Sequence, residues 1–260
     1  MSELIRLVVE PPVAVVTLCR PERANALSEP MLDELIAVGA ALAQCNDLRV
    51  VVLTALGDRA FCAGADLKER MQFSEDDVRR MLDKYRAGLA WVWQCPVPVV
   101  AAMNGSAFGG GLELALMCDL RVAVAHAQFA LPETTLGIIP GAGGTQRLPH
   151  LIGAARATEL ILLGTRINAE QALDFGLINR ITEPGLPVVE DTLRWLDPIL
   201  KGAPIATRAA LKALRGAPGL TLDAGLQLER DAYERCLVSE DRREALSAFA
   251  EKRPPRFSGR

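Results

Sequence analysis

Two glutamates carry the first hint of chemistry. Glu113 lies in Phe108-Gly-Gly-Gly-Leu-Glu-Leu-Ala-Leu-Met-Cys-Asp119, and Glu133 in Leu131-Pro-Glu-Thr-Thr-Leu-Gly137. The glycine run opens a helix whose first N–H groups have no partner within it, at the positive end of its dipole. Without Cβ atoms, such backbone can approach a ligand closely. The neighbours Leu112, Leu114, Ala115, Leu116 and Met117 are all apolar, so this helix lacks a polar face and reads as buried. A buried carboxylate is costly unless it is hydrogen-bonded or functional. Glu133, between Leu131-Pro132 and two threonines, reads equally as surface or as site on pattern alone. The Gly109–Gly111 triplet by itself reads first as a tight strand-to-helix turn.

Two carboxylates can share one water, one removing its proton and the other delivering a proton to a neighbouring carbon. General acid–base steps contribute about 10²–10⁴-fold each. An alkene would also need an adjacent carbonyl whose oxygen takes the developing charge, stabilised by paired backbone N–H donors worth about 10²–10³-fold each. The glycine loop can offer one donor and the Gly64-Ala65 turn after Phe61-Cys-Ala the other. Competing chemistries fit less well. There is no G-x-S-x-G elbow, no Walker motif and no G-x-G-x-x-G fingerprint. His126 and His150 are the only histidines and form no ligand cluster with cysteine, so no metal is expected. No separate cofactor is expected either.

The elements that must position these groups follow an α/β pattern. Leu4–Val9 and Val13–Cys19 read as strands, with Ser28 and Pro30 opening a helix that runs to about Gln44. Arg49–Leu53 is a continuous apolar strand of the kind covered on both faces. Gly57–Asp66 reads as a loop, and Asp66 and Asp119 as loop or cap residues. Ser74-Glu-Asp-Asp77 resembles a capping box at the head of a helix stopped by Pro96. Val97–Ala102, the Leu112–Met117 helix, Leu120–Ala125 and a short Phe129–Leu131 strand follow. Pro140-Gly-Ala-Gly-Gly144 reads as a loop, followed by helices at Thr145–Leu151, Ala154–Leu163 and Ala169–Phe175. Strand signals cease after Ile181, and helices are expected at Thr192–Leu200, Ile205–Arg215, Leu222–Leu237 and Asp241–Glu251. A strand–strand–helix unit thus recurs about every 45 residues. This predicts an α/β core over residues 1–190 and an all-helical part over 191–260.

Composition sets broad limits. The 260 residues are 50% hydrophobic and 23% charged, and the net charge is −3, which gives no general attraction to nucleic acid or anionic membrane. No apolar run reaches the ~18–20 residues needed to span a bilayer. The N-terminal ten residues show no signal-peptide h-region, and the six cysteines show no C-x-x-C spacing. The expectation is a cytoplasmic protein with reduced thiols and no membrane partner.

Four ordered blocks resemble the crotonase, or enoyl-CoA hydratase/isomerase, family. They are Ala60-Phe-Cys-Ala-Gly-Ala-Asp-Leu-Lys-Glu69, Asn104-Gly-Ser-Ala-Phe-Gly-Gly-Gly-Leu-Glu-Leu-Ala-Leu-Met-Cys-Asp119, Pro132-Glu-Thr-Thr-Leu-Gly-Ile-Ile-Pro-Gly-Ala-Gly-Gly-Thr-Gln-Arg147 and Asp241-Arg-Arg-Glu-Ala-Leu-Ser-Ala-Phe-Ala-Glu-Lys-Arg253. The resemblance implies a crotonase spiral of ββα turns with a C-terminal helical trimerisation region, assembled as a homotrimer or a dimer of trimers. It implies an oxyanion hole from the Ala65 and Gly110 N–H groups, catalysis by Glu113 and Glu133, and help from Gly141 in placing the water. It implies a coenzyme A site drawing on Arg23, Ala24, Ala63, Asp66, Leu67, Lys68, Tyr233 and Lys252, the coenzyme being part of the substrate. The pattern departs at Glu22, where some hydratases carry a basic residue; Arg23 stands beside it.

The implied activity is addition of water to a 2-enoyl-CoA thioester, giving a 3-hydroxyacyl-CoA. Both glutamates favour a hydratase over an isomerase or another crotonase-type acyl-CoA enzyme. Within the family the likeness is greatest to the methylglutaconyl-CoA hydratase group of leucine breakdown, through Phe61–Arg70, Gly109–Leu116 and Glu251–Arg256. Some relatives in that group bind RNA through a lysine-rich first helix. Here the corresponding helix, Met31–Gln44, contains no Lys or Arg, so no counterion release would drive phosphate binding and no nucleic-acid partner is expected.

Overall fold

The structure, a computed structural model, describes residues 3–260. The first two positions of the expected 1–190 core and of the N-terminal reading lie outside the described residues. Among these residues the chain forms strands β1 Ile5–Glu10, β2 Val13–Leu18, β3 Val50–Ala55, β4 Ala60–Cys62, β5 Val99–Met103, β6 Ser106–Phe108, β7 Leu120–Ala123, β8 Gln128–Ala130, β9 Ile167–Asn168 and β10 Arg180–Ile181. Between them run helices α1 Glu29–Leu42, α2 Leu67–Arg70, α3 Glu75–Gln94, α4 Gly110–Met117, α5 Gly144–Ile152, α6 Ala154–Leu163 and α7 Ala169–Asp174. Helices α8 Val188–Trp195, α9 Asp197–Lys201, α10 Pro204–Gly216, α11 Leu222–Leu237 and α12 Glu240–Ala250 complete the chain.

The strands divide between two sheets in a regular way. The larger sheet has the order β1-β2-β3-β5-β7-β10, and the smaller one β4-β6-β8-β9. Successive pairs β3/β4, β5/β6 and β7/β8 each place one strand in either sheet, so the chain winds as a spiral. Pairing is parallel from β2 through β10 in the first sheet and from β4 through β8 in the second. Parallel strands are covered on both faces, and β3 shows how. Val51 and Leu53 belong to the main core with α1, α3 and α4, while Val50 and Val52 pack with Val188 and Leu196 on the opposite face.

Several local expectations need correction. Gly57–Asp66 is not wholly loop, because β4 lies within it, fully buried and too short to display an alternating pattern. Ser28 occupies the N-cap position of α1, but its side chain makes no capping bond; the Glu69 carboxylate accepts from Glu29 N instead. The single helix expected at Thr192–Leu200 is two, α8 and α9, because Pro198 lacks an N–H and its ring blocks helix continuation. Asp119 is no simple cap: it accepts from Val99 N at 2.8 Å and is bound by Arg215 through Nε at 2.8 Å and Nη2 at 2.6 Å. Arg215 also donates to the Trp93 and Cys95 carbonyls, which ties α10 to the core. The basic tail is held too: Asp241 accepts from Ser258 N and Gly259 N.

Helix α4 is clamped at both ends. Buried Arg121 donates to the Ala115 and Cys118 carbonyls at its C-terminal end, where a cation suits the dipole. Near its start Gly111 lies so close to β4 that a Cβ there would overlap the Cys62 carbonyl. Overpacking of this kind costs about 1–3 kcal/mol or more. The Gly111→Ala substitution is therefore expected to lower the urea midpoint by an amount equal to at least about 2 kcal/mol, with the slope unchanged. An unaltered midpoint would contradict this packing of α4 on β4.

Candidate active site

Three consecutive parallel strands of the small sheet deliver three pieces of backbone to one place. Ala63–Ala65 follows β4, Gly109–Gly110 follows β6, and Pro132-Glu133 follows β8. Neighbouring strands lie about 4.8 Å apart, so their C-terminal ends fall side by side. Gly109 N donates to Ala130 O at 3.0 Å, which holds the β6 and β8 exits together. A fourth segment, residues 24–27, pairs with the β4 exit. Ala63 N donates to Ala24 O, Leu27 N to Gly64 O and Asp66 N to Leu27 O.

The Ala65 and Gly110 N–H groups meet across this junction. Gly64 has a φ of +91°, and a Cβ on it would stand 3.0 Å from Gly110 N and 2.7 Å from Phe108 O. A Cβ on Gly110 would stand 3.8 Å from Ala65 N. Neither N–H finds an acceptor among the described residues. Two neighbouring half-exposed donors without partners are suited to an oxyanion.

Both glutamates flank the same backbone. Glu113, one turn into α4, is buried, and its Oε1 accepts from Ala142 N and Gly144 N, each at 2.7 Å. Glu133 opens a short 3₁₀ turn, Glu133–Leu136, and is also buried. Its Oε1 lies 2.9 Å from where a Cβ on Gly109 would be, and its Oε2 is buried without a partner. Burial raises the Glu113 pKa, opposed by the Gly144, Ala142 and Gly141 N–H groups and by Arg70. Burial pushes Glu133 up to about 7, opposed by its own N–H, aided to a smaller extent by the negative charge of Glu113, and opposed least by Arg70. Two carboxyls whose environments differ in this way can divide the roles of base and acid.

The other expected residues divide into two groups. Ala24, Ala63 and Asp66 sit in the junction itself, and Asp66 holds it in place. Its carboxylate caps α2 by accepting from Lys68 N and Glu69 N, and it pairs with Arg20 Nη2 at 2.8 Å. Arg23, Leu67 and Lys68 are exposed nearby, and Gly141 lies exposed in the loop that holds Glu113. Tyr233 and Lys252 are exposed on α11 and just past α12, and neither makes a side-chain hydrogen bond or ion pair to the junction.

Sequence reasoning missed Ala142 and Gly144. The cluster Pro140-Gly-Ala-Gly-Gly144 reads as a loop, yet it presents the N-terminus of α5 to a carboxylate. The signal was the same one that marked Gly109–Gly111: glycines opening a helix, a natural anion site. Asn25 was also missed. Its amide donates to Leu56 O and Ala60 O while its Oδ1 accepts from Arg20 N, fixing the 24–27 segment on β4. Its φ of +52° is a conformation that Asn tolerates better than most residues.

Comparisons with known proteins identify the family and the fold. The family model described as enoyl-CoA hydratase/isomerase matches residues 9–260. The enoyl-CoA isomerase/hydratase fer4 of Mycosarcoma maydis is 45% identical over 250 residues, covering 93% of this chain and 90% of that protein. The mitochondrial methylglutaconyl-CoA hydratase of Rattus norvegicus is 39% identical over 250 residues, covering 95% and 79%. The crystal structure of an enoyl-CoA hydratase from Bacillus anthracis superposes with a TM-score of 0.95 at 44% identity, covering 99% of this chain and 100% of that one. The ββα spiral with its helical C-terminal part is thus the crotonase fold, and the chain belongs to the enoyl-CoA hydratase/isomerase family, whose members act on acyl-CoA thioesters.

Proposed function

We propose that this chain is an enoyl-CoA hydratase that adds water syn across the double bond of a 2-enoyl-CoA. The observation that carries the reading is that two buried glutamates, from separate turns of the spiral, both reach the Gly109–Gly110 backbone. The thioester oxygen accepts from the Ala65 and Gly110 N–H groups. Glu113, as the anion, takes a proton from water while its oxygen bonds to C3, and the alkene electrons move onto the thioester oxygen as an enolate. Glu133, as the acid, then protonates C2 as the carbonyl re-forms. The pair carries one proton before and after, and exchange through the next water resets it. A pKa of about 7 for Glu133 suits a proton donor near neutral pH. Gly141 N–H helps place the water. No cofactor is required beyond the coenzyme A of the substrate.

The coenzyme is held by Ala24, Ala63, Asp66, Leu67 and by the exposed cations Arg23 and Lys68, with Tyr233 and Lys252 reaching it from the C-terminal helices of this or a neighbouring protomer. Exposed apolar side chains on α6 and in the C-terminal helices, including Leu163, Leu222, Leu226 and Phe249, support assembly as a homotrimer or a dimer of trimers. The likeness to methylglutaconyl-CoA hydratase supports that substrate. An isomerase activity on the same site is the second reading, favoured by relatives named for both reactions. Six free cysteines support a reducing compartment such as the cytoplasm. No helix among the described residues is long and apolar enough to cross a membrane.

Glu113→Gln and Glu133→Gln are each expected to lower kcat on crotonyl-CoA by about 10²–10⁴-fold while leaving the Kd for a saturated acyl-CoA within about threefold. Near wild-type turnover in either variant would refute the two-carboxylate mechanism. Stability offers an independent check on Glu133. Its pKa rises on folding from 4.5 to about 7, so the folded protein binds the extra proton and loses stability as pH rises between these values. The advantage of Glu133→Gln over wild type in urea unfolding is expected to grow from about pH 4.5 and level off above about pH 7. A difference independent of pH would show that Glu133 is not held in a dry site.

A further inference from the structure

The direction of one backbone N–H is set by a bridge only one residue long. Ala65 pairs with Leu27 in an isolated parallel bridge. Leu27 N donates to Gly64 O at 2.7 Å, and Leu27 O accepts from Asp66 N at 3.3 Å. In a parallel ladder, a residue that bonds both neighbours of its partner leaves the partner's own N–H turned to the opposite side. The Ala65 N–H therefore points away from Leu27, on the side where Gly110 lies, and stays free for an oxyanion. Leu27 belongs to no strand, so no further rungs fix this bridge. One support comes from α3, where the buried Tyr85 hydroxyl donates to Leu27 O at 3.0 Å.

The other support is Arg20, which closes the bridge on both flanks. Its Nη1 donates at 3.0 Å to Ala26 O, the carbonyl just before Leu27. Its Nη2 pairs at 2.8 Å with Asp66 Oδ2, on the residue just after Ala65. The second Asp66 oxygen, Oδ1, accepts from Lys68 N and Glu69 N at the head of α2. One planar guanidinium thus ties the 24–27 segment to the Ala65 turn and to α2, a double reach that suits the arginine fork and not an ammonium. The side chains of the pair are only 17% and 11% exposed, so water weakens it less than a surface pair. The root of Arg20 is fixed too: its N–H donates to Asn25 Oδ1 and its carbonyl accepts from Asn25 N, each at 2.9 Å. No hydrogen bond or ion pair joins Arg20 to Glu113 or Glu133 among the described residues.

We propose that Arg20 is a positioning residue for the oxyanion hole: it fixes the Ala65 N–H relative to that of Gly110, and so governs how strongly the thioester carbonyl is polarised. This rests on the hydratase reading, which assigns the thioester oxygen to those two donors. Arg20 acts through the backbone of residues 26–27 and 65–66, apart from the acid and the base.

The test reads the carbonyl itself. Butyryl-CoA labelled with carbon-13 at the carbonyl is saturated and cannot be hydrated. Donors at the thioester oxygen move its carbonyl resonance downfield of the position in water. Wild type is expected to show this displacement, and Arg20→Met to lose at least about half of it while the Kd for butyryl-CoA stays within about threefold. For crotonyl-CoA, kcat and kcat/KM are expected to fall together by at least about tenfold, as for an interaction made in the transition state. Arg20→Lys keeps a charge for Asp66 but not the double reach, and is expected to lie between wild type and Arg20→Met in both readouts. A role in stability alone would lower the urea midpoint and leave the resonance in place. Full displacement in Arg20→Met, or in Arg20→Lys where Arg20→Met does not fold, overturns the proposal. Absence of any displacement in wild type overturns it together with the oxyanion-hole assignment. A displacement that depends on Arg20 in a protein that hydrates no enoyl thioester upholds the proposal and refutes the hydratase reading alone.

Discussion

The structure depends on the parallel pairing of three very short strands. β4, β6 and β8 contribute only three residues each, yet their register brings the exits at Ala63, Gly109 and Leu131 together. Every group assigned to chemistry either leaves one of these strands or is held against one that does. Such short strands cannot sustain themselves. They are stable because each is the return stroke of a turn whose other strand lies in the larger sheet, buried on both faces. The large sheet supplies the stability, and the small one converts it into placement.

The same arrangement makes a pair of buried carboxyls tolerable. Glu113 would be a costly charge inside α4 were it not met by the N–H groups that open α5. Glu133 has no such cradle, which leaves one oxygen buried and unpartnered and moves its pKa to about 7. One carboxyl is solvated by backbone and the other by very little, an asymmetry that would suit the first to act as base and the second as acid. The N–H groups of Ala65 and Gly110 complete the set, left without acceptors by the geometry that brings them together. Arg70, 5.7 Å from the centroid of a Tyr85 ring fixed by its own hydrogen bond, adds a positive charge that reaches both glutamates.

Legibility in the sequence followed element length. β3, α3 and α4 were clear, because six to twenty residues of buried or amphipathic pattern leave no other reading. β4 and β6 were not, because three residues cannot show a period, and here they lie inside Gly- and Ala-rich stretches that read as loop. The strands that position the site were therefore the hardest to see. Glu113 was legible because its neighbours are uniformly apolar. Glu133 was not, since its burial comes from the fold around β8 and not from its immediate neighbours. Ala142 and Gly144 act through backbone alone, and no side-chain pattern could single them out. Asn25 and Arg20 act across distant segments, which only the tertiary structure brings together. The family resemblance fixed the spiral, which periodicity alone left open.

The central claim is that one water is divided across one double bond by two carboxyls on the same face. Turnover of crotonyl-CoA in deuterated water, followed by NMR of the product, tests this directly. The account predicts 3-hydroxybutyryl-CoA carrying a single deuterium at C2, on the same face as the new C3 oxygen. Deuterium on the opposite face, or double-bond migration with no oxygen added, would contradict it.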